Sequence, residues 1–295
     1  MKKKILLTGG NGFIGKNIQE SFLAEKYEIT APRSFELNLI DTDCVDEYFK
    51  DKTFDVVLHA GCKPGHRNAK DPTNLFYSNL RMFENLERHK DKFGKLINFG
   101  SGAIYDVSKN NSNVKETDIF KNMGKDDHSF CKYVEHKLIE NLDNFIDLNI
   151  FGIFGKYEDW EIRFISNAIC KAMYGLDITL RQNRRFSYLF VEDLMPILEY
   201  FIENEAKYNS YNIVPNEPVE LVQIAELVKQ VSGNEISINV ANEGYGLDYY
   251  GDNSRLKEEI GEIVFTPINN SVEKLYSYYQ KNKDKIDKKL LYSDK

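Results

Sequence analysis

Apolar positions along this chain fall into two spacings that alternate, and the alternation predicts the fold. Ile5-Leu6-Leu7 is a short continuous apolar run after Lys2-Lys3-Lys4, the pattern of a buried strand. Phe13, Ile14, Ile18 and Phe22 then recur at helical spacing. The same alternation continues through a strand over 27–31, ended by Pro32-Arg33, a short extended piece over 37–41 and an acidic helix over 42–52. A strand over 55–60, a helix over 73–90 and a strand over 95–100 follow. Residues 107–127 are polar and read as a loop. Phe130, Tyr133, Val134, Leu138, Leu142 and Phe145 predict a helix over 128–145, and a strand over 147–154 ends at Gly155. Strands alternating with helices predict an α/β fold, a doubly wound parallel sheet with right-handed crossovers. Beyond 155 the pattern changes. Helices are predicted over 162–175, 192–204, 221–232 and 269–283, with short extended pieces at 178–181, 186–191, 209–214 and 236–240. Residues 1–155 are therefore expected to form the sheet domain, with parts of 186–215 returning to it. Residues 156–295 are expected to form mainly a smaller α+β lobe that closes over a substrate.

The first strand-to-helix turn carries chemistry. Thr8-Gly9-Gly10-Asn11-Gly12-Phe13-Ile14-Gly15 places three spaced glycines where a dinucleotide site needs them. Gly9 permits a tight turn, Gly12 lets backbone approach a pyrophosphate, and Gly15 lets the helix pack closely. The helix N-terminus then offers free N–H groups and a positive dipole end to the phosphates. The sheet domain thus reads as a Rossmann domain. After the second strand, the usual place for an acid that binds the adenosine ribose, stands Arg33, and the first acid is Glu36. A guanidinium there suits a 2′-phosphate, so NADP(H) is expected ahead of NAD(H).

Composition narrows the setting. The 295 residues carry a formal net charge of −7, which argues against a general nucleic-acid binder. No apolar run reaches 18 residues, so no spanning helix is expected. Three apolar residues before the glycine turn are too few for a signal peptide. Cys44, Cys62, Cys131 and Cys170 are scattered, which indicates neither a disulfide framework nor a metal site and fits a cytoplasmic protein. The loop at 61–72 sits at the carboxyl end of a predicted parallel strand. Its Lys63, His66 and Arg67 are candidate substrate residues.

Several motifs resemble those of the extended short-chain dehydrogenase/reductases, in particular the nucleotide-sugar epimerase/dehydratase/reductase group. They are the glycine turn, Phe99-Gly100-Ser101-Gly102-Ala103-Ile104-Tyr105 at a strand end, and Asp252-Asn253-Ser254-Arg255-Leu256. Glu36-Leu37-Asn38-Leu39-Ile40-Asp41 and Asn74-Leu75-Phe76-Tyr77-Ser78-Asn79 are similar to segments of GDP-fucose synthases, which reduce a 4-keto sugar nucleotide with NADPH. The resemblance implies that Ser101 hydrogen-bonds the substrate carbonyl and that Lys132 binds the nicotinamide ribose and tunes a nearby proton donor. It implies a cofactor-binding set of Gly9, Asn11, Gly12, Phe13, Ile14, Arg33, Leu39, Ala60, Gly61, Asn79 and Lys132. It also implies a homodimer, and a place in deoxysugar or surface-polysaccharide precursor synthesis. The arginine that precedes Val-Asp-Asp in the family falls here on Phe186. Arg184 and Arg185 stand just before it, and Arg185 is taken as the substrate anchor. Ala103 stands where those synthases have the cysteine that epimerises C3 and C5, and no histidine follows His136. Reduction without epimerisation is therefore expected. A C4 epimerase, or a dinucleotide-binding protein without catalysis, is the alternative.

The proton donor has two registers. In one, Cys131-Lys132 aligns with the group's Ser-Lys and His128 takes the tyrosine position; in the other, Tyr133 and Lys137 form a literal Tyr-x-x-x-Lys. Ser101 lies 27 residues before His128 and 32 before Tyr133, and the shorter interval suits the group. Lys132 lies 23 residues before Gly155, room for a helix, a turn and a strand, whereas Lys137 leaves 18. Spacing thus favours His128 with Lys132, and Tyr133 is the alternative.

Overall fold

The computed structural model describes residues 1–66, 68–71 and 73–292, so Arg67 lies outside the described residues. The first strand, β1 (Lys4–Thr8), leads through the glycine turn into α1 (Phe13–Gln19) and α2 (Phe22–Lys26). The single helix expected here breaks at Ser21, whose side chain accepts from Leu23 N and starts a second helix. The break turns Phe22 outward, and it is 44% exposed rather than packed inside. Next come β2 (Glu28–Thr30), α3 (Thr42–Phe49), β3 (Phe54–His59), α4 (Leu75–Glu87) and β4 (Phe93–Ser101). The polar 107–127 stretch contains β5 (Asn111–Val114), and α5 (Asp127–Ile139) follows. That helix stops short of 145 because Asn209 Nδ2 binds the carbonyls of Ile139 and Leu142 at its end. The strand expected over 147–154 is two, β6 (Phe145–Ile150) and β7 (Gly152–Phe154).

The second half holds α6 (Phe164–Met173), β8 (Ile178–Leu180), β9 (Arg185–Phe186), β10 (Tyr188–Phe190), α7 (Leu194–Glu203) and β11 (Ser210–Ile213). Then come β12 (Val219–Glu220), α8 (Leu221–Ser232), β13 (Ile238–Val240), β14 (Tyr249–Gly251), α9 (Ser254–Ile260) and α10 (Ile268–Lys281). Six parallel strands form the main sheet in the order β11-β6-β4-β3-β1-β2. The order reverses between β1 and β3, and ligands bind at such switch points beyond the carboxyl ends of the strands. One core packs β1, β3 and β6 against α7, with Leu7, Leu58, Leu148, Leu198 and Phe201 fully buried. A second core is built from α6, α8 and α10 around Ile169, Val228 and Leu275.

One face of the sheet is polar where α5 covers it. Asn98 on β4 and Asp147 on β6 are register partners and hydrogen-bond at 2.9 Å. His136 Nδ1 meets the other Asp147 oxygen at 2.8 Å. These groups are buried, so the seam fixes how α5 sits on the sheet through directional bonds rather than through area alone.

Candidate active site

Two adjoining cavities lie over the carboxyl ends of the strands. The first, of about 460 Å³, is lined by Thr8 to Gly12, Pro32, Ser34, Leu37 to Ile40, and Ala60 to Lys63. Its floor is the glycine turn. Gly9 has φ +70°, and a Cβ there would lie 2.6 Å from the Ala60 carbonyl oxygen. A Cβ on Gly15 would lie 2.3 Å from the Gly9 oxygen, so that glycine lets α1 close onto the turn. Thr8 Oγ1 meets His59 Nδ1 at 2.8 Å and accepts from Gly61 N at 3.1 Å, tying the turn to the end of β3. Burial lowers the His59 pKa to about 4, so this ring is a neutral structural group. The backbone packing that only glycine allows fits a dinucleotide cradle.

Of the expected cofactor residues, Gly9, Asn11, Gly12, Leu39, Ala60 and Gly61 line this cavity. Arg33 stands exposed between its wall residues Pro32 and Ser34. Among the described residues nothing binds the Arg33 guanidinium, while the Glu36 carboxylate accepts from Arg33 N at 2.8 Å and is occupied by its own turn. Asn79 braces the loop after β3, accepting from Lys63 N and donating to Lys63 O.

The second cavity, of about 450 Å³, shares Ala60 and Cys62 with the first. Phe13, Ile14, Ser101, His128 and Lys132 all line it. Ser101 ends β4; its oxygen accepts from Ala103 N at 3.1 Å, and its hydroxyl also hydrogen-bonds the buried Tyr249 phenol. Asp126 caps α5 by accepting from the backbone N–H groups of His128 and Ser129, and this places His128 in the first turn. Burial, with the Lys132 charge, holds the His128 pKa below the ordinary range. Lys132 stands one turn further along the same face. Its ammonium donates to Phe99 O at 3.2 Å and pairs with Glu135 at 2.8 Å. Burial alone would lower its pKa; the Glu135 carboxylate outweighs that and raises it.

Tyr133 and Lys137 lie on a different face of α5. The Tyr133 ring meets Phe120 edge-on at 5.3 Å. Lys137 is exposed, pairs with Glu140 and sits over the Phe120 ring. The expected substrate residues are scattered. Lys63 lines the cofactor-side cavity, with its ammonium on Asp71 and the Thr73 carbonyl. His66 is in the lining of neither cavity; burial, with the Arg163 charge, lowers its pKa. Arg185 is turned away, bound to Asp248. Of the two, it is Arg184 that lines the cavity, 5.0 Å over the Phe186 ring. Adjacent residues of an extended segment point to opposite sides, so only one of the pair can face in. The structure adds Glu158, Arg163 and Tyr188 to the lining.

The NAD dependent epimerase/dehydratase family model matches residues 5–214, well over half of the chain. The chain belongs to this family. The extended short-chain dehydrogenase/reductase membership implied by the motifs holds, and with it the assignment as an NAD(P)-dependent enzyme. This family member is 26% identical to a GDP-L-fucose synthase of Azorhizobium caulinodans, over 78% of the chain and 81% of the relative. It is 22% identical to a GDP-L-colitose synthase of Yersinia pseudotuberculosis, over 78% and 82%. Among solved structures it shares its fold with a GDP-mannoheptose C4 reductase of Campylobacter jejuni with NADP bound. The TM-score is 0.81 at 20% identity, covering 95% of this chain and 98% of that one. Among the described residues no helix is long and apolar enough to cross a membrane.

Proposed function

We propose that this family member reduces the 4-keto group of a nucleotide-activated sugar with NADPH, without epimerising C3 or C5. The observation that carries the reading is the placement of Ser101, His128 and Lys132 on one cavity that runs into the glycine-turn cavity through Ala60 and Cys62. When bound, the nicotinamide supplies the hydride. Ser101 donates to the carbonyl oxygen and His128, as imidazolium, protonates it as it becomes an alkoxide. Lys132 holds the ribose, and Arg184 and Arg163 supply positive charge for a diphosphate. The names of the two relatives and of the solved reductase all carry a GDP-linked sugar, which supports a nucleotide-sugar substrate and makes GDP-sugars the first to try. The test is oxidation of NADPH on adding 4-keto derivatives of GDP-, UDP-, dTDP- and CDP-sugars. No oxidation with any of them would leave a binding protein.

NADPH is expected to bind at least tenfold more tightly than NADH, because among the described residues nothing binds the exposed Arg33 guanidinium by the cavity while the Glu36 carboxylate accepts from the backbone of its own turn. Arg33→Asp should narrow or reverse that preference, as read by fluorescence titration of both cofactors. Equal wild-type affinities would contradict it.

Epimerisation requires a base and an acid flanking the carbon next to the carbonyl. Ala103 is buried and supplies neither, and no histidine follows His136. Incubation of a 4-keto substrate with the protein in deuterated water, without cofactor, should leave C3 and C5 unlabelled. Protein-dependent deuterium at either carbon would refute this.

A further inference from the structure

The second cavity contains a carboxyl that the proton-transfer reading leaves unused. Glu158 follows β7 and lines the cavity beside Arg163 and Tyr188, yet it is only 8% exposed. Ser166 Oγ on α6 donates to Glu158 Oε2 at 2.5 Å. Among the described residues no donor reaches Oε1 and no cation pairs with the carboxyl. The charged and titratable groups that face it are Arg163 and Asp159 on its own segment, Tyr188 on β10 and Tyr279 on α10. The two tyrosines are uncharged near neutral pH, and burial pushes their hydroxyls up further. A buried carboxylate with one hydrogen bond and no ion pair is costly, so the neutral acid is the cheaper form. Burial accordingly raises the Glu158 pKa to about 8, against smaller opposing pulls from Ser166 and Arg163.

A neutral carboxyl is both acceptor and donor. Ser166 uses the acceptor at Oε2, which leaves the O–H on Oε1. Among the described residues no partner is bound at Oε1. We propose that Glu158 is a specificity-determining residue that donates a hydrogen bond from Oε1 to an oxygen of the sugar bound in this cavity. The proposal rests on the nucleotide-sugar reading above. It also explains why this carboxyl does not act as a carbon base: a neutral acid has no lone charge with which to take a proton from C3 or C5.

The test compares wild type with Glu158→Gln and Glu158→Leu. Calorimetry uses a panel of GDP-mannose, UDP-glucose, dTDP-glucose and CDP-glucose. The infrared difference spectrum of wild type minus Glu158→Gln reads the protonation state directly. The protonated-carboxyl band should be present at pH 7, vanish as pH rises through 8 to 9, and shift when the binding nucleotide sugar is added. Glu158→Leu should weaken that sugar at least tenfold without lowering Tm. Glu158→Gln, which keeps size and a donor, should stay within threefold at pH 7. It should also lose the weakening that wild type shows above pH 8. An ionised carboxyl at pH 7, unchanged affinity in Glu158→Leu, a glutamine variant as weak as the leucine variant, or no binding by any member of the panel would each overturn the proposal. A sugar that binds and shifts the band while no 4-keto derivative oxidises NADPH would sink the reductase reading and leave the Glu158 assignment standing.

Discussion

His128→Phe is expected to lower turnover roughly 10²–10⁴-fold while leaving NADPH affinity unchanged within a few-fold, the usual span for loss of a positioned general acid. In barrier terms that is about 3–5 kcal/mol. The expectation rests on placement. His128 shares the cavity with Ser101 and Lys132, whereas Tyr133 packs on Phe120. Tyr133→Phe, which removes only a hydroxyl on that other face, should be mild. The pH profile gives an independent readout. Reduction needs the imidazolium. Burial and the Lys132 charge hold the His128 pKa below about 6.5, its ordinary value, so turnover should fall as pH rises through a midpoint under that value. His128→Tyr should recover part of the activity and carry the limb past neutrality, because a phenol titrates near 10. Loss of turnover in Tyr133→Phe with a silent His128→Phe would reverse the assignment.

Lys132→Met is expected to damage stability and catalysis together, and the two losses can be separated. The Lys132–Glu135 pair is buried, with side chains 9% and 1% exposed. Removing the ammonium strands a carboxylate whose remaining contacts are long, 3.4 Å from both Asn98 Nδ2 and Cys131 Sγ. Breaking one side of a buried pair costs about 3–5 kcal/mol, visible as a lower Tm and a lower denaturant midpoint. Replacing both members, as Lys132→Met with Glu135→Leu, should return most of the stability, since a packed apolar pair substitutes for a buried ion pair at little cost. Turnover should stay low in the double variant, because the charge that holds the ribose and tunes His128 is still missing. A stable and active double variant would show that Lys132 is only a structural partner of Glu135.

The fold was legible because strands such as β1 and β3 leave apolar runs and the covering helices leave periodic stripes. The parts that were not legible depend on partners distant in sequence. Asn111-Ser112-Asn113-Val114 has no strand pattern and becomes a strand only by pairing with Tyr249–Gly251. Phe145 matches the helical stripe of α5, yet it opens β6, because Asn209 terminates the helix from elsewhere in the chain. The site divides in the same way. Motif spacing singles out Ser101, His128 and Lys132, and the three line one cavity. Between Arg184 and Arg185, period-two alternation says that one faces inward but not which one. Glu158 differs from Asp159 and Glu161 in no way visible along the chain; only the packing of α6 and β10 around it sets it apart.

The central claim is hydride delivery to a sugar carbonyl held at Ser101 and His128. It is tested most directly by single-turnover reaction of NADPH deuterated at nicotinamide C4 with the 4-keto nucleotide sugar that binds best. NMR then locates the label. Deuterium at sugar C4 and none at C3 or C5, lost in His128→Phe and retained in Tyr133→Phe, is the predicted result; an unlabelled sugar recovered with the cofactor still reduced would contradict it.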